Sequence, residues 1–212
     1  MPPRVSRRAR TDLRFTGRIA GVGTSRGPRF VVGMWETSPL GRFVDVMVED
    51  GAGHRILLAP SPDVADFVSA TYTFDEVRFL PVSWRKVDGG LRVVAGGPTE
   101  PVLDLRLGIG GISGLGMLLR AVPSAFATAP GWLRLIDPIA RVLVPGSATA
   151  GTAGGDRREY YGVTLARRIV SLEGTWEGAD LGVLARLDPP VTFGFGSAPA
   201  SPSLVDVTTT IR

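Results

Sequence analysis

Apolar and polar residues alternate with a period of two through most of the chain, the pattern of strands buried on one face. Leu13, Phe15 and Ile19 alternate with Arg14, Thr16 and Arg18, and Val44, Val46 and Val48 with Asp45, Met47 and Glu49. Leu103, Leu105 and Leu107 alternate with Asp104 and Arg106. Phe30 to Glu36 is more fully apolar. Turn chemistry separates these runs: Thr37-Ser38-Pro39-Leu40-Gly41, then the hairpin loop Asp50-Gly51-Ala52-Gly53 leading into Arg55 to Ala59. The same reading predicts strands over Glu76 to Trp84, Leu91 to Ala95, Glu159 to Ala166, Ile169 to Trp176, Val191 to Phe195 and Leu204 to Ile211. Sequential hairpins of this kind build antiparallel sheet.

The period changes to 3.6 in one short stretch. Ser61 stands at an N-cap, Pro62 at the first helical position and Asp63 in the first turn, and Val64, Phe67, Val68 and Thr71 then form one apolar stripe. Ile112 to Val144 is different again, apolar and nearly uncharged, with helical patterning over Leu115 to Val122 and Trp132 to Val144 broken by Pro123, Pro130 and Pro138. The expected fold is therefore α+β, mainly antiparallel β: a barrel-like sheet with one short helix and an apolar helical insert. Residues 1–10 read as a disordered Arg-rich tail, and residues 11–212 as a single barrel-like domain with the insert at about 112–144.

Composition removes whole classes of chemistry. Among 212 residues there is one histidine, His54, no cysteine, and only one lysine, Lys86, within the 24 basic residues. No thiol can attack, and no Cys-His cluster or pair of histidines can hold a metal, so no cofactor or metal is expected. The net charge is +4, and Arg4, Arg7, Arg8 and Arg10 account for it, leaving a neutral body and no basic face for nucleic acid. The twin arginines Arg7-Arg8 are not followed by an apolar stretch, and no run is long enough for a transmembrane segment. A cytoplasmic location is expected, and the preference for arginine over lysine fits a GC-rich genome.

Few residues stand out as candidate chemistry. The stretch Gly108-Ile109-Gly110-Gly111-Ile112-Ser113-Gly114 has a serine where a dinucleotide loop needs its third glycine, and no βαβ unit surrounds it. His54 and Lys86 both read as surface residues at hairpin ends. The carboxylates Asp45 and Glu49 lie opposite the valines and read as solvated surface. Trp35 and Glu36 place an aromatic and a carboxylate where a core strand meets its turn, a position at which barrel mouths meet ligands.

The segment Arg158-Glu159-Tyr160-Tyr161-Gly162-Val163-Thr164-Leu165-Ala166 resembles the Arg-Glu-φ-φ-Gly-φ-Pro-Lys-Lys segment of acetoacetate decarboxylases, apolar β-barrel enzymes that form a Schiff base through a lysine there. The resemblance implies the same barrel with an internal pocket. It also implies loss of the decarboxylase chemistry, because Thr164, Leu165 and Ala166 stand where the family has Pro-Lys-Lys. Arg167 and Arg168 cannot replace the amine, since guanidinium stays protonated.

The leading expectation is a binding protein or non-covalent enzyme for a small apolar or keto/carboxylic acid ligand, with Trp35, Glu36, Glu159 and Tyr161 at the pocket mouth. A rival is an enzyme that uses a carboxylate and an arginine for acid-base work. A third is an interaction protein presenting the insert 112–144 to a partner or membrane surface. A homo-oligomer stays open. A Glu-Arg pair inside the pocket would favour catalysis, and a dry pocket without titratable groups would favour binding.

Overall fold

The computed structural model describes residues 12–114, 116–117, 150–152, 158–194 and 199–211, with backbone only at 150–152 and 158–161. The chain runs β1 (Leu13–Thr24), β2 (Arg29–Thr37), β3 (Phe43–Glu49), β4 (Arg55–Ala59), α1 (Pro62–Ser69), β5 (Glu76–Phe79), β6 (Val82–Val87), β7 (Gly90–Gly96) and β8 (Pro101–Ile112). It continues with β9 (Ala150–Thr152), β10 (Arg158–Trp176), β11 (Ala179–Asp180), β12 (Leu184–Ala185) and β13 (Ser203–Ile211). Ten strands pair in the order β5-β4-β3-β2-β1-β13-β10-β8-β7-β6, and the sheet curls into a half-barrel.

The sheet is mixed, where mainly antiparallel pairing was expected. β4 and β5 run parallel because α1 carries the chain between them, as a crossover helix must. Ser61 caps that helix as its sequence predicts, its hydroxyl accepting from Val64 N at 3.4 Å. The run Glu76 to Trp84, expected as one strand, is divided at Leu80-Pro81. Its halves, β5 and β6, form the two edges of the sheet. Proline has no N–H to give a ladder and suits such a corner. Conversely, the two strands expected over 159–176 are one strand of 19 residues, bent by irregularities at Val163/Leu165, Arg167/Ile169 and Ile169/Ser171.

Both faces of β1 to β4 are covered. The inner face gathers Phe30, Val32, Met34, Val46, Leu58, Val93, Leu105 and Trp176 into the main core. The outer face of β1 to β4 is covered by α1, which packs Val64, Ala65 and Val68 against Phe15, Phe43 and Leu57. Of the strand expected over Val191 to Phe195, Phe195 lies outside the described residues, and the rest is an irregular segment laid over the same outer face, where Leu187, Val191 and Phe193 pack on Val31. β2 is apolar in both its odd and its even positions because it is buried from both sides.

Asp45 and Glu49, expected to be solvated, are therefore buried, each only 3% exposed. They do point away from the barrel interior, but α1 and the 187–193 segment lie on top of them. Glu49 pairs with Arg29 at 2.9 Å and accepts from Thr192 N at 2.6 Å, while Arg29 donates to Pro189 O at 2.6 Å. That buried pair fastens the segment to the sheet.

Residues 1–10, and most of the helical insert expected at 112–144, lie outside the described residues. Ile112 itself is the last residue of β8, and a helical turn starts behind Ser113, whose hydroxyl accepts from Gly116 N at 3.0 Å. Among the described residues, no helix is long and apolar enough to cross a membrane.

Candidate functional site

The half-barrel is open at one end, and its inner face there forms a cleft of about 520 Å³ between β1, β2, β10 and β13 on one side and β6 and β7 on the other. The floor is apolar, with Leu91, Ile109 and Leu204 continuing the core to the opening. Above it the inner rows of the strands turn polar. Phe30, Val32 and Met34 are followed by Glu36, Val22 and Ala20 by Arg18, Leu204 by Asp206, and Val82 and Trp84 by Lys86. Side chains two apart on a strand share a face, so each of these charges belongs to the inner face and not to the outside of the sheet.

Four neighbouring strands thus carry a row of charges of alternating sign. Glu36 Oε1 on β2 accepts from Arg18 Nη2 on β1 at 3.0 Å. Arg18 Nε lies 3.5 Å from Asp206 Oδ1 on β13, the residue directly opposite it in the ladder. Asp206 Oδ2 accepts from Arg167 Nη1 on β10 at 3.5 Å. The Arg18 guanidinium also stands 5.2 Å from the centre of the Trp84 ring, so it bridges the two walls. Three cations, Arg18, Lys86 and Arg167, face two carboxylates, Glu36 and Asp206. Asp206 Oδ1 is a buried oxygen without a hydrogen-bond partner among the described residues, its contact with Arg18 being an ion pair at 3.5 Å.

The residues nominated from sequence for a barrel mouth part company. Glu36 lines the cleft. Trp35, its neighbour on the strand, points to the other face, where its ring packs on Phe15 and Phe43 and its indole Nε1 donates to Asp45 Oδ1 at 3.0 Å. The two cannot serve one site, since adjacent residues on a strand look in opposite directions. Glu159 and Tyr161 are known here only by backbone register, opposite Ile211 and Thr209 of β13. Lys86, read from sequence as a surface residue, is exposed but opens into the cleft on the same inner row as Trp84.

Arg18, Arg167, Asp206 and Trp84 were not singled out from sequence. A usable signal did exist: an inner row that is apolar along its length and ends in a charge, repeated on several strands. The segment 158–166 forms the first half of β10 and leads into Arg167 at the cleft. Its Thr164 hydroxyl donates to Asp206 O at 3.3 Å, and Ala166 O accepts from Ser113.

No protein-family model matches the chain, and no curated protein does. Among solved structures, the chain is similar to an acetoacetate decarboxylase from Legionella pneumophila at a TM-score of 0.47 and 10% identity, covering 100% of this chain and 89% of that one. It is also similar to the enduracididine biosynthesis enzyme MppR, solved with pyruvate, at a TM-score of 0.34 and 12% identity, over 98% of this chain and 90% of that one. In structure, as in the short segment 158–166, the chain bears a weak resemblance to the acetoacetate decarboxylase-like fold.

Proposed function

We propose that the protein binds a small carboxylic or keto acid with an apolar body in the cleft, without forming a covalent bond to it. The observation that carries this reading is the surplus of cations over an apolar floor: Arg18, Lys86 and Arg167 outnumber Glu36 and Asp206 above Leu91, Ile109 and Leu204. A carboxylate answers the surplus charge, and a short carbon chain covers the floor. Imine chemistry is not part of the proposal. Lys86 is exposed and lacks the burial that makes the amine of an imine-forming lysine nucleophilic.

Calorimetric titration tests the reading. Hexanoate should give saturable heat that weakens as salt is added, while the isosteric neutral hexanamide should give none. Arg167→Ala should weaken hexanoate about tenfold, the value of one charge-assisted hydrogen bond. Equal binding of acid and amide would overturn the proposal. Borohydride added with pyruvate should leave the mass unchanged, and a mass gain that disappears in Lys86→Ala would replace non-covalent binding by Schiff-base chemistry.

One observation favours a second reading, a non-covalent enzyme. The Arg18–Glu36 pair lies inside the cleft, and a carboxylate held by a guanidinium beside a bound acid is placed for proton transfer. Solvent-deuterium exchange at the carbon next to the ketone of a bound keto acid, lost in Glu36→Gln, distinguishes this enzyme from a passive binder. Nothing among the described residues favours an interaction role for 112–144.

A further inference from the structure

The outer face of the sheet has a second cavity, on the opposite side from the cleft. Where α1 lies across β1, β2 and β3 the packing leaves about 50 Å³ unfilled, walled by Phe15, Val31, Trp35, Phe43, Phe67 and Val68. A single water needs about 12 Å³ on the same measure, so three or four non-hydrogen atoms fit.

Four side chains bring polar groups to this wall: Thr71, whose hydroxyl donates to Phe67 O at 3.4 Å, Tyr72, Asp45 and Thr209. Asp45, on β3, receives the Trp35 indole N–H on one carboxyl oxygen and has no cation beside it among the residues lining the cavity. Thr209, on β13, is 3% exposed, and its hydroxyl has no hydrogen-bond partner among the described residues. Beneath them the sheet carries Gly33, where a Cβ would collide with the Asp45 carboxyl group and come within 2.7 Å of Trp35 Nε1. The missing side chain at Gly33 is what lets the Trp35–Asp45 pair lie flat under α1. A buried hydroxyl left without a partner costs about 1–3 kcal/mol, so its presence at a cavity wall calls for an occupant.

We propose that this cavity is a binding site for a small uncharged molecule with an apolar body and one hydroxyl or carbonyl, held between Asp45 and Thr209. An anion is excluded because no cation lines the space. A cation is disfavoured at mildly acidic pH, where the buried Asp45 is uncharged. Burial drives the Asp45 pKa up to about 7, so at mildly acidic pH the group is a carboxylic acid able both to donate to a carbonyl and to accept from a hydroxyl.

The Trp35 indole N–H is a built-in reporter for the test. In ¹H–¹⁵N spectra of the full chain at pH 6, with the resonance assigned by Trp35→Phe, 2-propanol should shift that signal saturably. Its dissociation constant should be on the order of millimolar, as befits four non-hydrogen atoms. Thr209→Val, which keeps the shape and removes the hydroxyl, should weaken binding at least fivefold. Val68→Leu, which fills the space, should abolish saturation and leave hexanoate binding in the cleft unchanged. A non-saturating drift shared by all indoles would mean that the cavity holds water only and would overturn the proposal. So would saturation that survives Val68→Leu, or trimethylammonium binding in preference to 2-propanol.

Discussion

Asp45 combines a deep position with a titration near neutrality, and the two together make its charge a cost of the fold. Its carboxyl group is pushed from 3.8 up to about 7 by burial, only partly offset by the Trp35 indole N–H and a backbone hydrogen bond. The folded chain therefore holds this proton more tightly than the unfolded chain does. The stabilisation is fully present below pH 3.8 and drains away as pH rises through about 7, a loss on the order of 4 kcal/mol if the whole shift is expressed. Urea unfolding of the wild-type chain and of Asp45→Asn should give stability curves that lie closest below this window, part within it and stay apart above it. The wild type should lose stability between pH 4 and 7, and the amide should not. Parallel curves would mean that Asp45 is solvated in the fold. The opposite arrangement holds at Asp104 on β8, where the Arg92 guanidinium lowers the carboxyl pKa and makes its charge favourable.

At the scale of elements, α1 is the piece on which the outer cavity depends, and its start is held by one side chain. Replacing Ser61 by alanine removes the acceptor for Val64 N and should cost about 1 kcal/mol, read as a lower denaturation midpoint with an unchanged m-value. The helix and its cap were legible in the sequence because cap, proline and stripe are all local. Strand alternation was legible in the same way: it says correctly that Leu13, Phe15 and Ile19 share a face, and that Arg14, Thr16 and Arg18 share the other. It does not say which face looks into the barrel. Phe15 and Ile19 pack outward, under α1 and beside the 187–193 segment, while Arg18 points into the cleft. Polar-outside is a rule for sheets with one bare face, and here β1 to β4 are covered on both faces and the interior opens at one end. Asp45 was misread for that reason. The break at Leu80-Pro81 was carried by a proline in plain view. What the local pattern lacked was any sign that the halves on either side belong to opposite edges.

For the whole molecule, that two-residue break has a topological consequence. The ten-strand path begins at β5 and ends at β6, and these two edges, which no ladder joins, are consecutive in the chain. The sheet is a half-barrel whose two free edges are tied to each other by covalent bonds. From Phe79 to Val82 the chain can span at most about 11 Å, which limits how far the two edges can separate. The first and last described strands are neighbours as well, since Leu13 of β1 stands opposite Ile211 of β13. Joining Leu13 to Ile211 through a short linker would therefore close the described chain into a circle whose order of reading can be shifted. Cutting such a circle at Gly53, in the β3–β4 turn, should leave a chain that folds with near-native stability. Cutting it between Leu80 and Pro81 should release the tie, so that the sheet springs open and both the thermal midpoint and hexanoate binding are lost. If the two permutants melt alike, contacts across the core hold the sheet curled without help. If they differ as expected, this sheet is fastened as a clasped bracelet is: nine links in hydrogen bonds, and one in the chain itself.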